Sequence, residues 1–331
     1  MIHSSQPLSR LVLSSTFDHM DFFSFASFLR FLRLVGWIVG ASWMLFSPAV
    51  VSAGEGAFGW IYTLDLQPKG TLEFEQRLQR NRGQASGQYD VWLSRTELEY
   101  GWSDDLQLAG YLNSYSARID QNYTNPEVCG ASPTCTSGFP VPAQHDRGAP
   151  FHGQGLDGYS LEAIYRLSNP VISPIGVGFY IEPTFGKLKN ELEARLLLQS
   201  NFLDDRLVLA SNVVYANEQL RYLDQSAVPE SMLDVLLGFS YRFAPKWFAG
   251  MEARWHNDFS RYNLQSQTQR ALFLGPNLHF AEKDWWLTAA WRYQPKGGQC
   301  MGNGTGECSD ARVWDSHSRN ELMFKVGFPI H

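Results

Sequence analysis

The stretch Trp247-Phe248-Ala249-Gly250-Met251-Glu252-Ala253-Arg254-Trp255-His256 most narrows what this chain can become. On an extended strand, alternate side chains fall on opposite faces. Trp247, Ala249, Met251, Ala253 and Trp255 then share one face, and Glu252, Arg254 and His256 share the other with Gly250. A water-soluble sheet hides its apolar face and wets its polar one. Here the greasy face is rich in large aromatics, and the ionisable face is too regular for a loop. The same inverted alternation recurs through the chain, as expected of strands that close into a barrel with lipid outside.

Twelve segments show it or a weaker form of it. In the first half, Leu72, Phe74 and Leu78 oppose Glu73, Glu75 and Arg77, and Trp92, Leu98, Tyr100 and Trp102 oppose Arg95, Glu97 and Glu99. Leu106 to Ile119 has ambiguous parity. Tyr159, Leu161 and Tyr165 oppose Glu162 and Arg166, and Val177, Phe179 and Ile181 oppose Glu182. The second half is cleaner. Leu192, Ala194 and Leu196 oppose Glu191, Glu193 and Arg195, and Leu209 and Val213 oppose Asn212. Leu237 and Phe239 share a strand with inward Asp234 and Arg242. Leu278 opposes His279, Leu287 and Trp291 oppose Arg292, and Phe324 opposes Arg319, Glu321 and Lys325.

The expected fold is all-β: a transmembrane up-and-down antiparallel β-barrel of about twelve strands over residues 71–331, an even number as single-chain barrels require. The connectors alternate in length. Ser103-Asp104-Asp105, 169–174, Leu203-Asp204-Asp205, Ala244-Pro245-Lys246 and Glu282-Lys283-Asp284 are short, while 120–155, the region around 225–229, 261–269 and 297–316 are longer and polar. Short turns on one side and long loops on the other are the expected asymmetry. Residues 54–70 do not fit the even count. They read as a lead-in at the short-turn rim or inside the lumen.

Before this, Arg30 and Arg33 precede the apolar run Leu34 to Phe46, and Val51-Ser52-Ala53 has the small residues of a cleavage site. Residues 1–53 are therefore expected to be a signal peptide, with Met20 a possible true start. The alternative is an N-terminal membrane anchor, for which the run is at the short end. The mean hydropathy of −0.25 excludes a polytopic helical protein. A net charge of −6 with no basic stripe excludes a nucleic-acid partner. Aromatic residues make up 14% of the chain. Trp247, Trp255, Trp285, Trp286 and Trp291 are read as girdle residues at the headgroup level, with sugar stacking as the alternative.

The four cysteines, Cys129, Cys135, Cys300 and Cys308, follow the expected cut and so enter an oxidising compartment. They form two close pairs in polar loops. Of three possible connectivities, Cys129–Cys135 with Cys300–Cys308 closes two short loops.

A recurrent local motif is an acid and a base two residues apart: Glu75-x-Arg77, Arg95-x-Glu97, Glu193-x-Arg195, Glu252-x-Arg254 and Arg319-x-Glu321. Both members then face the lumen. The functional reading is an eyelet whose field orients polar solutes. The bland one is an ion-pair network that fills a narrow barrel. An outer-membrane lipid hydrolase would need a His and a Ser on one lipid-facing side. His256 shares parity with Glu252 and Arg254, and His317 and Ser318 are adjacent and so diverge, so no enzyme and no catalytic residue is expected. A loop metal site from His145, His152, Asp146 and Asp157 is conceivable, but solvated histidines are the simpler reading. No cofactor or metal is expected.

Taken together, leader, alternating strands, alternating connectors and the terminal Val326-Gly327-Phe328-Pro329-Ile330-His331 resemble a Gram-negative outer-membrane β-barrel protein. The pattern departs in one respect, since three residues follow Phe328. The opening Gly54-Glu55-Gly56-Ala57-Phe58-Gly59, with Pro68-Lys69-Gly70-Thr71-Leu72-Glu73-Phe74-Glu75-Gln76, is similar to an uncharacterised family of proteobacterial barrel proteins. The resemblance implies an outer-membrane location, with contact to outer-membrane lipid and the barrel-assembly machinery, but no activity. The functional expectation rests on the charged inner face: a passive pore for small polar solutes, with a non-conducting structural or surface-interaction barrel as the alternative and a lipid hydrolase as the second.

Overall fold

The computed structural model describes residues 55–84, 87–120, 139–142, 145, 149–221, 227–300, 308 and 317–330. The expected leader and the Cys129–Cys135 pairing lie outside the described residues.

Twelve strands close into one antiparallel barrel, each paired with its sequence neighbours and β1 with β12. They are β1 (Leu72–Arg82), β2 (Gln88–Ser103), β3 (Leu106–Asp120), β4 (Phe151–Ser168), β5 (Gly176–Gly186), β6 (Lys189–Phe202), β7 (Leu207–Arg221), β8 (Ala227–Ala244), β9 (Trp247–Ser260), β10 (Gln267–Ala281), β11 (Trp286–Gln299) and β12 (Asn320–Ile330). Closure pairs Leu72 with Ile330 and Arg82 with Asn320, so no strand edge is left open. In lipid, where an unpaired backbone group is costly, only such closure makes a sheet tolerable.

The outer face carries the apolar side chains. Leu237, Phe239, Trp247 and Trp255 are between 42% and 55% exposed, apart from Trp247 at 40%. Trp92, Trp102, Trp285 and Trp291 also look outward. Trp286 does not: it is buried, and its indole Nε1 donates to Glu73 Oε1 at 2.9 Å. Of the adjacent pair, Trp285 in the β10–β11 turn is exposed on the outside and Trp286 at the start of β11 turns inward.

Several strands run past the expected bounds. β4 starts at Phe151, inside the connector expected over 120–155, and β3 ends at Asp120. The ambiguous parity of β3 resolves with Gln107, Ala109, Tyr111, Asn113, Ala117 and Ile119 inward. Near the long-loop end Ala117 and Ile119 join Tyr89, Val91, Phe139, Val141, Phe151 and Leu188 in an apolar cluster. Part of the long β3–β4 connection thus packs into the mouth. At the opposite end, Leu203, Asp204 and Asp205 all turn with positive φ (57°, 55° and 58°), closing the tight β6–β7 connection. Cys300 and Cys308 form a disulfide within the β11–β12 connection.

Candidate functional site

Inside the wall lies the lead-in segment, starting with a 3-10 turn at Glu55–Ala57. It is not a thirteenth strand. Residues 56–67 run around the inner wall as a collar, meeting the strands in order from β11 to β2. The hydroxyl of Thr288 (β11) donates to Gly56 O. The amides of Gly59 and Trp60 donate to Glu252 (β9) at 2.6 and 2.9 Å. Tyr62 N donates to Asn212 Oδ1 (β7) at 2.8 Å, and Asn212 Nδ2 returns a bond to Tyr62 O at 2.9 Å. Leu64 N donates to Gln199 Oε1 (β6) at 2.6 Å, and Arg166 Nη1 (β4) donates to Leu64 O at 3.0 Å. Gln67 N donates to Gln107 Oε1 (β3) at 2.7 Å, and its side-chain amide to Glu99 (β2) at 3.3 Å.

This explains how an extended chain survives inside a barrel without a partner strand. Buried backbone amides and carbonyls must be paired, and here amide and charged side chains of the wall replace the missing backbone ladder. The side chains of the collar do the rest. Phe58 and Ile61 pack with Val208, Ala210, Val214 and Leu236. Tyr62, Leu64 and Leu66 pack with Ile164, Tyr180 and Leu197. Two wall glycines make room: a Cβ on Gly178 would lie 2.5 Å from Leu64 Cδ2, and one on Gly238 would lie 2.6 Å from Ile61 Cδ1.

The interior is therefore not uniformly charged, as alternation alone suggests. Strands β4 to β8 carry an apolar inner sector, and it is the sector the collar covers. Asp65 sits in the collar with Gln199 Nε2 donating to its carboxylate at 3.2 Å. Burial pushes its carboxyl above the ordinary range, only partly opposed by that bond and by Arg166.

Two collar side chains reach the opposite wall. Trp60 Nε1 donates to Gln79 on β1 at 3.2 Å, and Arg292 stacks 4.0 Å from its ring centroid. Arg77 on β1 donates to the Tyr62 hydroxyl at 3.1 Å, and Arg195 lies over the Tyr62 ring at 4.5 Å. The collar thus fills the middle of the lumen as well as lining it.

Around it stand the ionisable residues expected at the inner face. Glu73, Glu75, Arg77, Glu97, Glu99, Glu162, Glu182, Glu193, Asp234, Glu252, His256, Arg292, Glu321 and Lys325 are buried inside the wall. Arg95, Arg166, Glu191, Arg195, Arg242 and Arg254 are intermediate. Arg319 departs: it precedes β12, is exposed at the rim, and lies over the Tyr293 ring at 5.7 Å.

Among the described residues the acid-x-base motif pairs internally as Arg77 Nε to Glu75 at 3.2 Å and as Arg195 Nε to Glu193 at 2.7 Å. Other pairs run between strands. Arg95 reaches from β2 to Glu182 on β5, Arg254 bonds Asp234, and Arg292 bonds Glu321. The cause is register. Glu75 faces Glu97 and Arg77 faces Arg95 directly, and Arg77 also faces Lys325. Like charges opposite one another repel, so the pairs form along a strand or on the diagonal: Arg77 to Glu97 at 3.7 Å and Lys325 to Glu75 at 3.6 Å.

At the short-turn rim Arg166 also holds Asp105 at 3.1 Å. Toward the long loops Lys189 bridges Glu191 and Glu218 at 2.5 and 2.9 Å.

No His–Ser pair forms on the lipid side among the described residues. His256 is inside, against Asp234 and Asp258, and Ser318 donates to Glu321 at 3.2 Å. Of the residues that carry the interior, alternation misses the collar's own Trp60, Tyr62 and Leu64. Their signal was present in β7, where Leu207-Val208-Leu209-Ala210 and Val213-Val214-Tyr215-Ala216 are apolar on both faces, so that one face needs a cover other than lipid.

An apolar outer band, a closed even-numbered antiparallel sheet and an interior of paired charges define a transmembrane β-barrel of the outer-membrane, porin-like type. The chain belongs to a family of unknown function, DUF6662, whose model matches residues 50–330. No curated protein matches it.

Solved barrels similar in shape include an outer-membrane channel from Pseudomonas putida F1 (10% identity, TM-score 0.49, covering 86% of this chain and 100% of that one). Others are the NanC porin (11% identity, TM-score 0.46, 78% and 100%) and the β-domain of the Bordetella autotransporter BrkA (13% identity, TM-score 0.46, 79% and 100%). A channel, a porin and an autotransporter at such low identity carry no message about cargo.

Proposed function

We propose that this barrel is a passive outer-membrane channel for small polar solutes, without cofactor, whose short-turn half is narrowed by the collar. The observation that carries this is residual solvent access deep inside the wall. Arg95 and Arg254 lie near the middle of β2 and β9, point inward, and still keep 24% and 16% of their side chains exposed. Each arginine keeps one side toward water while pairing with a nearly buried acid, Glu182 or Asp234. The open faces of Arg95 and Arg254, each with its acid behind it, set a local field at that water. Such a field favours dipolar or zwitterionic solutes over apolar ones.

In this reading the leader is removed after Ala53, which places the collar at the start of the mature chain. Barrel-assembly machinery inserts the strands, and outer-membrane lipid covers the apolar band.

A second reading, a non-conducting structural or surface-interaction barrel, has its own observation. Glu75, Arg77, Glu97 and Lys325 are almost wholly buried behind the collar, as in a filled barrel. Planar-bilayer recording separates the two. Channel function gives small, infrequent current steps from the full chain that grow when the collar is unseated. A barrel silent in both forms is a structural one.

A further inference from the structure

His256 and Asp258 are two residues apart on β9 and both turn inward; they are 3% and 8% exposed. The chain comes back to them just before β12, where His317 Nε2 lies 2.9 Å from Asp258 Oδ2. His256 Nε2 lies 3.0 Å from Asp258 Oδ1, in a contact not aligned as a hydrogen bond. The two imidazole rings stand edge to face with centroids 4.3 Å apart. One donor atom from each of the three residues falls within 4.8 Å of the others. An ion with bonds of about 2.0–2.2 Å holds its ligands about 3.3–3.6 Å apart, so the three groups need only small side-chain shifts to share one.

The group behind His256 strengthens the case. Register places Asp234 of β8 directly opposite His256, and Asp234 Oδ1 lies 2.7 Å from His256 Nδ1. Arg254 Nη2 is 2.8 Å from the same nitrogen, and Arg254 Nε bonds the other oxygen of Asp234. An ionised carboxylate can only accept, so the Nδ1 proton belongs to the bond with Asp234, and Arg254 serves to neutralise that carboxylate. His256 is left with Nε2 turned to Asp258 and His317. A histidine whose far nitrogen is held by a carboxylate has the fixed tautomer and ring orientation of a metal ligand.

We propose that His256, Asp258 and His317 bind one divalent transition-metal ion near the long-loop end of the lumen, with Asp234 as the positioning residue. Two imidazoles and one carboxylate suit Zn²⁺, Co²⁺, Ni²⁺ or Cu²⁺ and not Mg²⁺ or Ca²⁺, which prefer all-oxygen sites. Three protein ligands leave a coordination position for water or a solute group. His317 keeps 22% of its side chain exposed, which gives the ion a way in. The ion ties β9 to the segment leading into β12, whose Arg319 amide and carbonyl bond Gly83 O and Gln294 N. It therefore fixes the lumen mouth whether or not the barrel conducts.

The test is calorimetric titration of the chelator-stripped full-length protein in detergent with Zn²⁺, with Co²⁺ absorption as a second readout. Folding of every variant is checked by the heat-dependent electrophoretic shift of closed barrels, and only folded protein is scored. One Zn²⁺ per chain is expected, with a Co²⁺ d–d band typical of nitrogen and oxygen ligands. Asp234→Asn should weaken binding about 10–100-fold, the usual cost of losing a supporting carboxylate. His317→Ala, at a partly exposed site where folding is least at risk, should weaken it further. His145→Ala with His152→Ala should leave it unchanged. Absence of stoichiometric binding overturns the proposal and leaves His256 a structural side chain held between two aspartates. So does binding that survives His317→Ala and Asp258→Asn, or that is lost only with His145 and His152.

Discussion

Deleting residues 55–67 should open the barrel, and the size of the effect follows from its geometry. Twelve strands spaced about 4.8 Å apart and tilted about 40° give a perimeter of about 75 Å and a backbone radius of about 12 Å. Packed sheet faces sit about 10 Å apart, so one inward layer of side chains takes about 5 Å and leaves a bore of about 14 Å. A ribbon with side chains on both faces is about 10 Å thick by the same measure. The collar therefore reduces the passage to about 4 Å at its level, and the cross-section falls on the order of tenfold.

Single-channel recording in planar bilayers, with folded protein confirmed by electrophoretic shift, should show steps about five times larger for the deletion than for the full chain, since the collar narrows the short-turn half alone and the open half adds to it in series. If the deletion prevents folding, Ile61→Asp with Leu64→Asp keeps the chain length and puts two charges against the apolar sector of β4 to β8. Equal conductance in the full chain and in a folded collar-deleted or collar-unseated barrel would refute the reasoning, because the wall's own side chains would then set the limit.

Two further outcomes follow from the way the collar is seated. Gly178→Ala places a methyl 2.5 Å from Leu64 Cδ2 and 2.9 Å from Tyr165 O; such overpacking costs about 1–3 kcal/mol, and limited proteolysis should cut residues 55–67 faster than in the parent protein. Asp65 gives docking a pH dependence: its carboxyl titrates higher in the seated collar than free in water, so the seated state binds more protons between the two values, docking strengthens as pH falls through that window and weakens as pH rises out of it. Channel openings should then be rarer in mild acid, and Asp65→Asn should abolish the difference; an unchanged acid response in that variant would assign it to another group.

Much of the wall was legible in the sequence, because a barrel in lipid uses the simplest code available: every second residue answers to one solvent. Leu237, Phe239, Trp247 and Trp255 announce their side through that code alone. Ion-pair partners were less legible. Glu252 and Arg254 are neighbours on one face, yet Glu252 accepts two collar amides and Arg254 turns to Asp234. Strand parity fixes the face a charge is on but not the stagger between strands, and the stagger chooses the partner. The site at His256, Asp258 and His317 was hidden for the same reason. His317 is 59 residues from Asp258 in sequence, and only the arrival of the chain at β12 brings them together.

The collar was the hardest element to read because it breaks the rule the rest of the chain obeys. Within Gly56 to Gln67 the alternation is weak: Phe58, Trp60, Tyr62, Leu64 and Leu66 are apolar, and so are Ala57 and Ile61. A segment with apolar groups on both sides fits neither the lipid face nor a water-filled lumen. It fits a place between apolar wall and polar wall. Phe58, Ile61 and Leu64 press outward on β4 to β8, and Trp60 and Tyr62 reach the arginines and Gln79 across the bore. The collar and the apolar inner sector therefore explain each other. Val208, Val214, Leu236, Ile164 and Leu197 would face water in an empty barrel, and the collar does for that inner sector what lipid does for the outer surface. Loss of the collar should thus cost stability as well as closure, which is why its removal must be judged by conductance on barrels shown to be folded.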